Sequence, residues 1–336
     1  MNETACMVGI DVAKRKFDIA LLINNKIKSK VFDNTPAGHK DFSAWLNDRG
    51  ALPEHTHLCM EATGPYSELL ATNLVEAGWR VSVVNPARIK GFAQSELARN
   101  KTDRADAALL ARFCAAMRPA LWTPPPVAWR ELRGWVDRLQ ALKEMHQQES
   151  NRMEAYQASG QNNLVKDVQI HLDWLAKQIK ELERCINDHI DRHPDLKHDT
   201  ELLNSIPGLG DTTVAKVLAY AGDVRRFSSA KALAAFIGVT PRQRSSGSSV
   251  KGKTMMSRTG HGELRRALYM PGLVARRHNP TLKIFGDILS TTGLAPKAVI
   301  GAVMRKLVHL IYGVVKSGLP FDASFKHSGL VIQDGI

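Results

Sequence analysis

Cys6-Met-Val-Gly-Ile-Asp-Val12, Phe17-Asp-Ile-Ala-Leu-Leu-Ile23 and Lys26-Ile-Lys-Ser-Lys-Val-Phe32 are three short apolar or alternating runs at the start of the chain. Runs of this length rich in Val, Ile and Phe read as strands, and Ala13-Lys-Arg-Lys16 and Asn24-Asn25 between them suit hairpin connections. A helical pattern follows at Phe42, Trp45 and Leu46. Next come a strand (His57-Leu-Cys-Met-Glu61), a helix through Leu69, Leu70 and Leu74, and a strand (Arg80-Val-Ser-Val-Val84). Asn85-Pro86 ends that strand, and helical sequence resumes to about Met117. The order βββαβαβα predicts three antiparallel strands extended by parallel ones, with helices on the faces.

That order is the one expected of an RNase H-like domain, here over residues 1–125. Pro124-Pro125-Pro126 is a stiff break and a natural boundary. Beyond it, apolar residues fall at Leu132, Trp135, Leu139 and Leu142, and again at Val165, Val168, Leu172, Leu175, Ile179, Leu182 and Ile186. Alternating steps of three and four are the seam of a coiled coil, predicted over 126–195. An intramolecular helical hairpin gives the same pattern; pairing between chains is the favoured reading, and with it a homo-oligomer (a dimer, or a tetramer with DNA). The third segment, 196–336, is predicted mainly helical. Ser205-Ile-Pro-Gly-Leu-Gly210 before Thr212-Thr-Val-Ala-Lys-Val-Leu218 reads as a helix-hairpin-helix, offering backbone N–H groups to a phosphate. A structural turn explains its glycines equally well. Arg242-Gln-Arg-Ser-Ser-Gly-Ser-Ser-Val-Lys-Gly-Lys253 reads as a basic Ser/Gly loop, and helices then run to about Ser317.

The 336 residues carry a formal net charge of +13, which points to a polyanionic partner. The excess is clustered: between Pro241 and Leu310 there are 13 Lys or Arg, opposed only by Glu263 and Asp287. Clustering favours phosphate binding, because each neutralised phosphate releases counterions. Cys6, Cys59, Cys114 and Cys185 are far apart, so the cysteines suggest neither a zinc site nor a disulfide framework. The apolar stretch Ala298–Leu319 is broken by Arg305, Lys306, His309 and Lys316, as in a core helix and not a membrane span. With no signal peptide recognised, the expected location is the cytoplasm, in association with the nucleoid.

Four acidic residues lie where such a domain would converge them. Asp11 sits inside the first strand and Glu61 ends a later one; Asp103 and Asp106, three apart, share one face of a helix. A charge in an apolar strand is costly unless paired or metal-bound. Phosphodiester cleavage gives it a use: two Mg²⁺ or Mn²⁺ ions about 4 Å apart stabilise attacking and leaving oxygens, and such hard cations take carboxylate ligands. Asp18 is left out, because its alternation with Phe17 and Ile19 assigns it to the outer face of the sheet.

Six motifs occur in order: Gly9-Ile-Asp-Val-Ala13, Met60-Glu-Ala-Thr-Gly-Pro-Tyr66, Val84-Asn-Pro-Ala-Arg88, Lys101-Thr-Asp-Arg-Ala-Asp106, Ile206-Pro-Gly-Leu-Gly210, and Gly238-Val-Thr-Pro-Arg242 with Ser245-Ser-Gly247. Together, over nearly the whole chain, they resemble the DEDD insertion-sequence transposases, the family that includes the pilin-gene inverting recombinases. The resemblance implies a RuvC-like domain joined to a C-terminal transposase domain whose serine links covalently to DNA. It also implies donor and target DNA as partners and, in one branch, a guiding non-coding RNA. Carried over, the metal ligands are Asp11, Glu61, Asp103 and Asp106. The nucleophile is Ser246, with adjacent Ser245 as the alternative. By their charge, Arg242, Arg244, Lys251 and Lys253 in the same loop would clamp phosphates, which Ser/Arg loops also do without catalysis. Serine and carboxylates fall in different predicted domains, so the site would be composite, with a neighbouring chain the favoured source of the serine.

Three rivals are separable. A RuvC-like nuclease or junction resolvase would share the fold and ligands but form no covalent adduct with DNA. An actin-like kinase or ATPase needs a second Gly-rich phosphate loop, and none is found. A non-catalytic scaffold has no use for charges inside strands.

Overall fold

The computed structural model describes residues 6–97, 102–242 and 255–324, together with two short strands at 245–246 and 250–251. The chain divides into two compact units at the Pro124–Pro125 step.

The first unit contains β1 (Cys6–Val12), β2 (Lys16–Ile23), β3 (Lys26–Asp33), α1 (Pro36–Asn47), β4 (Thr56–Glu61), α2 (Pro65–Glu76), β5 (Arg80–Val84), α3 (Pro86–Ser95) and α4 (Asp103–Met117). The sheet order is β3-β2-β1-β4-β5. The first three strands pair antiparallel, and β4 and β5 extend them in parallel. This is the arrangement of an RNase H-like sheet, as the element order predicts. The Asn24-Asn25 turn works because both residues adopt positive φ (49° and 59°), the twist a two-residue hairpin requires.

Both faces of the sheet are covered. On one, Phe17, Ile19 and Phe32 pack with Phe42, Trp45 and Leu46 of α1 and with Leu70 and Leu74 of α2. On the other, α4 lies against the strands: Ala107 and Ala111 pack on Ala20, while Leu110, Phe113 and Cys114 pack on Cys59. Gly9 sets how closely α4 approaches. A Cβ at this position would stand 2.0 Å from the Ala107 carbonyl oxygen and 2.3 Å from the Ala111 nitrogen. Backbone cannot yield as a side-chain tip can. Gly9→Ala is therefore expected to destabilise the first unit by about 1–3 kcal/mol, the range for overpacking, measured as a lowered midpoint of urea unfolding; an unchanged midpoint would contradict the seating of α4.

The second unit contains α5 (Val127–Ala158), α6 (Asn162–Arg192), α7 (Pro194–Asn204), α8 (Asp211–Ala221), α9 (Ala230–Ile237), β6 (Pro241–Arg242), β7 (Ser245–Ser246), β8 (Val250–Lys251), β9 (Met255–Met256), α10 (Gly262–Ala267), α11 (Tyr269–His278), α12 (Pro280–Thr291) and α13 (Pro296–Ser317). It is mainly helical. The seam predicted for pairing between chains is covered within the chain: α5 and α6 pack as a hairpin, burying Leu132, Val136, Leu139 and Leu142 with Leu175, Leu182 and Ile186. The register in α5 also differs from expectation. Val136 is 2% exposed and Trp135 is 41% exposed, because both continue the stripe from Leu132 at helical spacing and only one can face α6.

Among the described residues, α13 is the one helix long and apolar enough to cross a membrane. Val303, Leu307, Val308 and Ile311 on it are wholly buried, and it packs against α7, α9, α11 and α12 as the unit's core helix. The turn between α7 and α8 has a structural use for its first glycine. Gly208 takes φ +108°, and a Cβ there would stand 2.7 Å from the Cβ of Ala275 on α11. The stretch read as a basic loop contains paired strands instead: β6 with β9, and β7 with β8.

Candidate active site

The register of the sheet gathers the acidic residues. Gly9 pairs with Ala20 on β2 and with Cys59 on β4, and these three define the face under α4. Side chains alternate with period two, so Asp11 and Glu61, two residues beyond Gly9 and Cys59, lie on that same face at the ends of their strands. Helix α4 touches the sheet through Ala107 and Ala111 and carries Asp103 and Asp106 one turn earlier, in its first turn. Thr102 caps this helix: its Oγ1 accepts a hydrogen bond from the Ala105 N–H (3.2 Å). The Asp106 N–H donates to the Thr102 carbonyl (2.8 Å).

Electrostatics registers the convergence. The Asp11 carboxyl is pushed up to about 6, first by burial and then by the charges of Asp106, Asp103, Asp18 and Glu61. All four sequence-derived carboxylates are thus close enough to act on one another through Asp11.

Asp18 corrects the sequence reading. It pairs directly with Asp11 across the β1–β2 ladder, which places it on the same face, and it is 8% exposed. Alternation misled because it assumes one wet face, whereas this sheet is covered on both. Counting back from the turn would have found it: Val12 opposes Phe17, so Asp11 opposes Asp18. Lys16 was also missed. Its Nζ donates to Asp103 Oδ2 (2.8 Å) and to Asp18 Oδ2 (3.1 Å). Those bonds hold the Asp103 carboxyl below the usual carboxylate range and raise the Lys16 ammonium above its ordinary value.

The donor set fits divalent metal. Asp11 lies among the charges of four other carboxylates, with the Lys16 ammonium bonded to two of them, and this crowding together with burial raises the Asp11 carboxyl above its ordinary range. Carboxylate oxygens in that number are what a hard cation needs.

In the second unit, Arg242 is exposed on β6. Ser246 and Ser245 lie on β7, with Ser246 opposite Val250 and Ser245 opposite Lys251 of β8. Arg244 and Lys253 lie outside the described residues.

An RNase H-like sheet with carboxylates gathered at the ends of β1 and β4 and the start of α4 defines a class: enzymes that act on phosphodiesters with divalent cations. The comparisons specify it further. A DEDD-type transposase model matches residues 8–156, and the model of the transposase IS116/IS110/IS902 family matches residues 200–286. The pilin gene-inverting protein of Moraxella bovis is 34% identical over 94% of this chain and 97% of its own length. That of Moraxella lacunata is 33% identical over the same shares. A solved structure of Thermus thermophilus RuvC with a Holliday junction substrate is similar at 15% identity and a TM-score of 0.26, over 33% of this chain and 95% of that one. The chain belongs to the IS116/IS110/IS902 transposase family, and it is a DNA recombinase of the transposase type.

Proposed function

We propose that the protein cuts and rejoins DNA strands through a covalent phosphoserine intermediate, using a divalent-metal site built from Asp11, Glu61, Asp103 and Asp106. The observation that carries the metal half is the Asp11 carboxyl, raised to about 6 by burial and by the carboxylates around it. When bound, Mg²⁺ or Mn²⁺, as a pair of ions, supplies charge neutralisation and Lewis-acid activation at the scissile phosphate. Asp11 and Glu61, fixed on strands, set the floor of that site; Asp106 and Asp103 reach it from the helix.

The serine half rests on the family resemblance and on chemistry. A bond forms between Ser246 Oγ and phosphorus, the bond from phosphorus to one strand end breaks, and that end leaves as a hydroxyl with the serine's proton. Attack by another strand's hydroxyl reverses the step, so the strand is rejoined without ATP. A serine hydroxyl needs activation to do this near neutral pH. Arg242, Arg244, Lys251 and Lys253 hold the phosphates on either side. The partners are donor and target DNA and a non-coding guide RNA, and the working unit is a homo-oligomer. The clustered charge between Pro241 and Leu310 supports the polyanionic partners. Incubation with labelled element-end DNA and Mg²⁺ should give a protein–DNA adduct that survives denaturant, with none in EDTA. Cleavage without an adduct would leave a plain metal-dependent nuclease.

Asp18 separates metal binding from the chemical step. It adds charge to the cluster but is hydrogen-bonded to Lys16. Asp18→Asn is expected to raise the Mg²⁺ concentration for half-maximal cleavage several-fold, with a smaller loss at saturating Mg²⁺ than Asp11→Asn suffers. An unchanged Mg²⁺ titration would remove Asp18 from the site.

A further inference from the structure

The second unit holds a group of metal-ligating side chains that the chemistry above does not use. Glu131 lies near the start of α5, His189 in the last turn of α6, and His193 just beyond it. One potential ligand atom from each lies within 4.8 Å of the others. His189 is 3% exposed, whereas the Glu131 side chain is 56% exposed, so the group has a buried wall and an open side.

The backbone decides which nitrogens are available. His189 Nε2 lies 2.9 Å from the Ala128 carbonyl oxygen. A carbonyl only accepts, so Nε2 carries the proton and donates it. The Nδ1 lone pair is then bare, and it faces Glu131 Oε2 at 3.9 Å. His193 Nδ1 lies 2.7 Å from the His189 carbonyl oxygen, so Nδ1 donates and Nε2 keeps its lone pair. The two rings stand 4.3 Å apart between centroids. In both histidines a backbone carbonyl takes one N–H, fixes the tautomer and leaves the other nitrogen basic. That is how metal-bound histidines are held in place. A bare imidazole lone pair facing a carboxylate is repulsive unless a proton or a cation sits between them.

We propose that Glu131, His189 and His193 bind one Zn²⁺ ion, using residues of the second unit alone. Two imidazoles and a carboxylate are a donor set that suits Zn²⁺, leaving a fourth position for water. Tetrahedral Zn²⁺ ligands stand about 3.3 Å from one another, from bond lengths near 2 Å. The 3.9 Å between His189 and Glu131 closes to that with a small rotation of the exposed Glu131. The ion would tie the start of α5 to the end of α6, clamping the open end of the hairpin. The sequence signal is a pair of histidines four residues apart on a helix end, with a glutamate about sixty residues before them.

The test uses the full chain carrying Asp11→Asn, which weakens the carboxylate cluster of the first unit. After stripping with EDTA, Zn²⁺ is titrated against a chromophoric chelator, and Co²⁺ is added separately to read its visible absorption. The expected result is one Zn²⁺ per chain, four-coordinate Co²⁺ absorption, and a Tm raised by Zn²⁺. His193→Gln and Glu131→Gln should each weaken Zn²⁺ binding at least tenfold and abolish the rise in Tm. Glu131 is exposed, so Glu131→Gln should leave the zinc-free circular dichroism unchanged and keep the test valid if His193→Gln fails to fold. Zinc binding that is absent, or unaffected by either variant, would overturn the proposal. So would stabilisation by mild acid alone with no zinc taken up, which would make the group an imidazolium–carboxylate pair.

Discussion

Asp11→Asn is expected to lower DNA strand cleavage on the order of 10³-fold or more while raising the thermal stability of the metal-free protein at neutral pH. The two effects have one cause. Asp11 is partly buried beside four other carboxylates, so its carboxyl is held at about 6 instead of its ordinary 3.8. The folded state therefore binds that proton more tightly than the unfolded chain does. The resulting stability is fully present below about pH 4 and is lost as the pH rises through about 6. Asparagine keeps the neutral form at every pH. In EDTA the variant should match the parent near pH 4 and melt several degrees higher at pH 7 to 8. Added Mg²⁺ should stabilise the parent more than the variant, because the ion rewards the charge that asparagine lacks. Thermal melts at the two pH values, with and without Mg²⁺, together with a cleavage assay, check all of this. A variant that cleaves at the parental rate with normal stability would remove Asp11 from the metal site. A variant that loses cleavage but also melts lower at pH 8 in EDTA would mean that Asp11 is a structural partner and not a ligand held in strain.

How much of this was legible differs from residue to residue. Asp11 and Glu61 were readable because a charge inside an apolar strand demands a reason, and strand period plus element order placed both on one sheet. Asp103 and Asp106 were readable from helical spacing. The seat of α4 was not, since it depends on Gly9 lacking a Cβ, and a glycine in a strand does not say which helix comes close. Asp18 was misassigned because inside-out alternation has no sign in a sheet covered on both faces. The seam of α6 was correct in period, but period says only that a face must be buried, not what covers it; the partner was α5. The turn at Gly208 shows the same limit, since a glycine required by φ +108° and by the nearness of Ala275 looks, in sequence, like one required by a phosphate.

Ser246→Ala is expected to abolish the covalent protein–DNA adduct, and strand rejoining with it, while changing DNA and RNA affinity by less than about threefold. A hydroxyl adds little to an interface dominated by Lys and Arg, whose contribution is the release of counterions, and the chain carries a net +13 with 13 Lys or Arg clustered between Pro241 and Leu310. Loss of the adduct together with unchanged binding therefore separates chemistry from recognition. Ser245 is the necessary control. The two serines are adjacent positions of β7, Ser246 opposite Val250 and Ser245 opposite Lys251. Denaturing gels of each variant with labelled DNA and Mg²⁺ decide the assignment. If Ser245→Ala loses the adduct and Ser246→Ala keeps it, the nucleophile moves by one position and the mechanism stands. If both variants keep cleaving without any adduct at all, the attacking group is water, and the carboxylate cluster alone accounts for the chemistry.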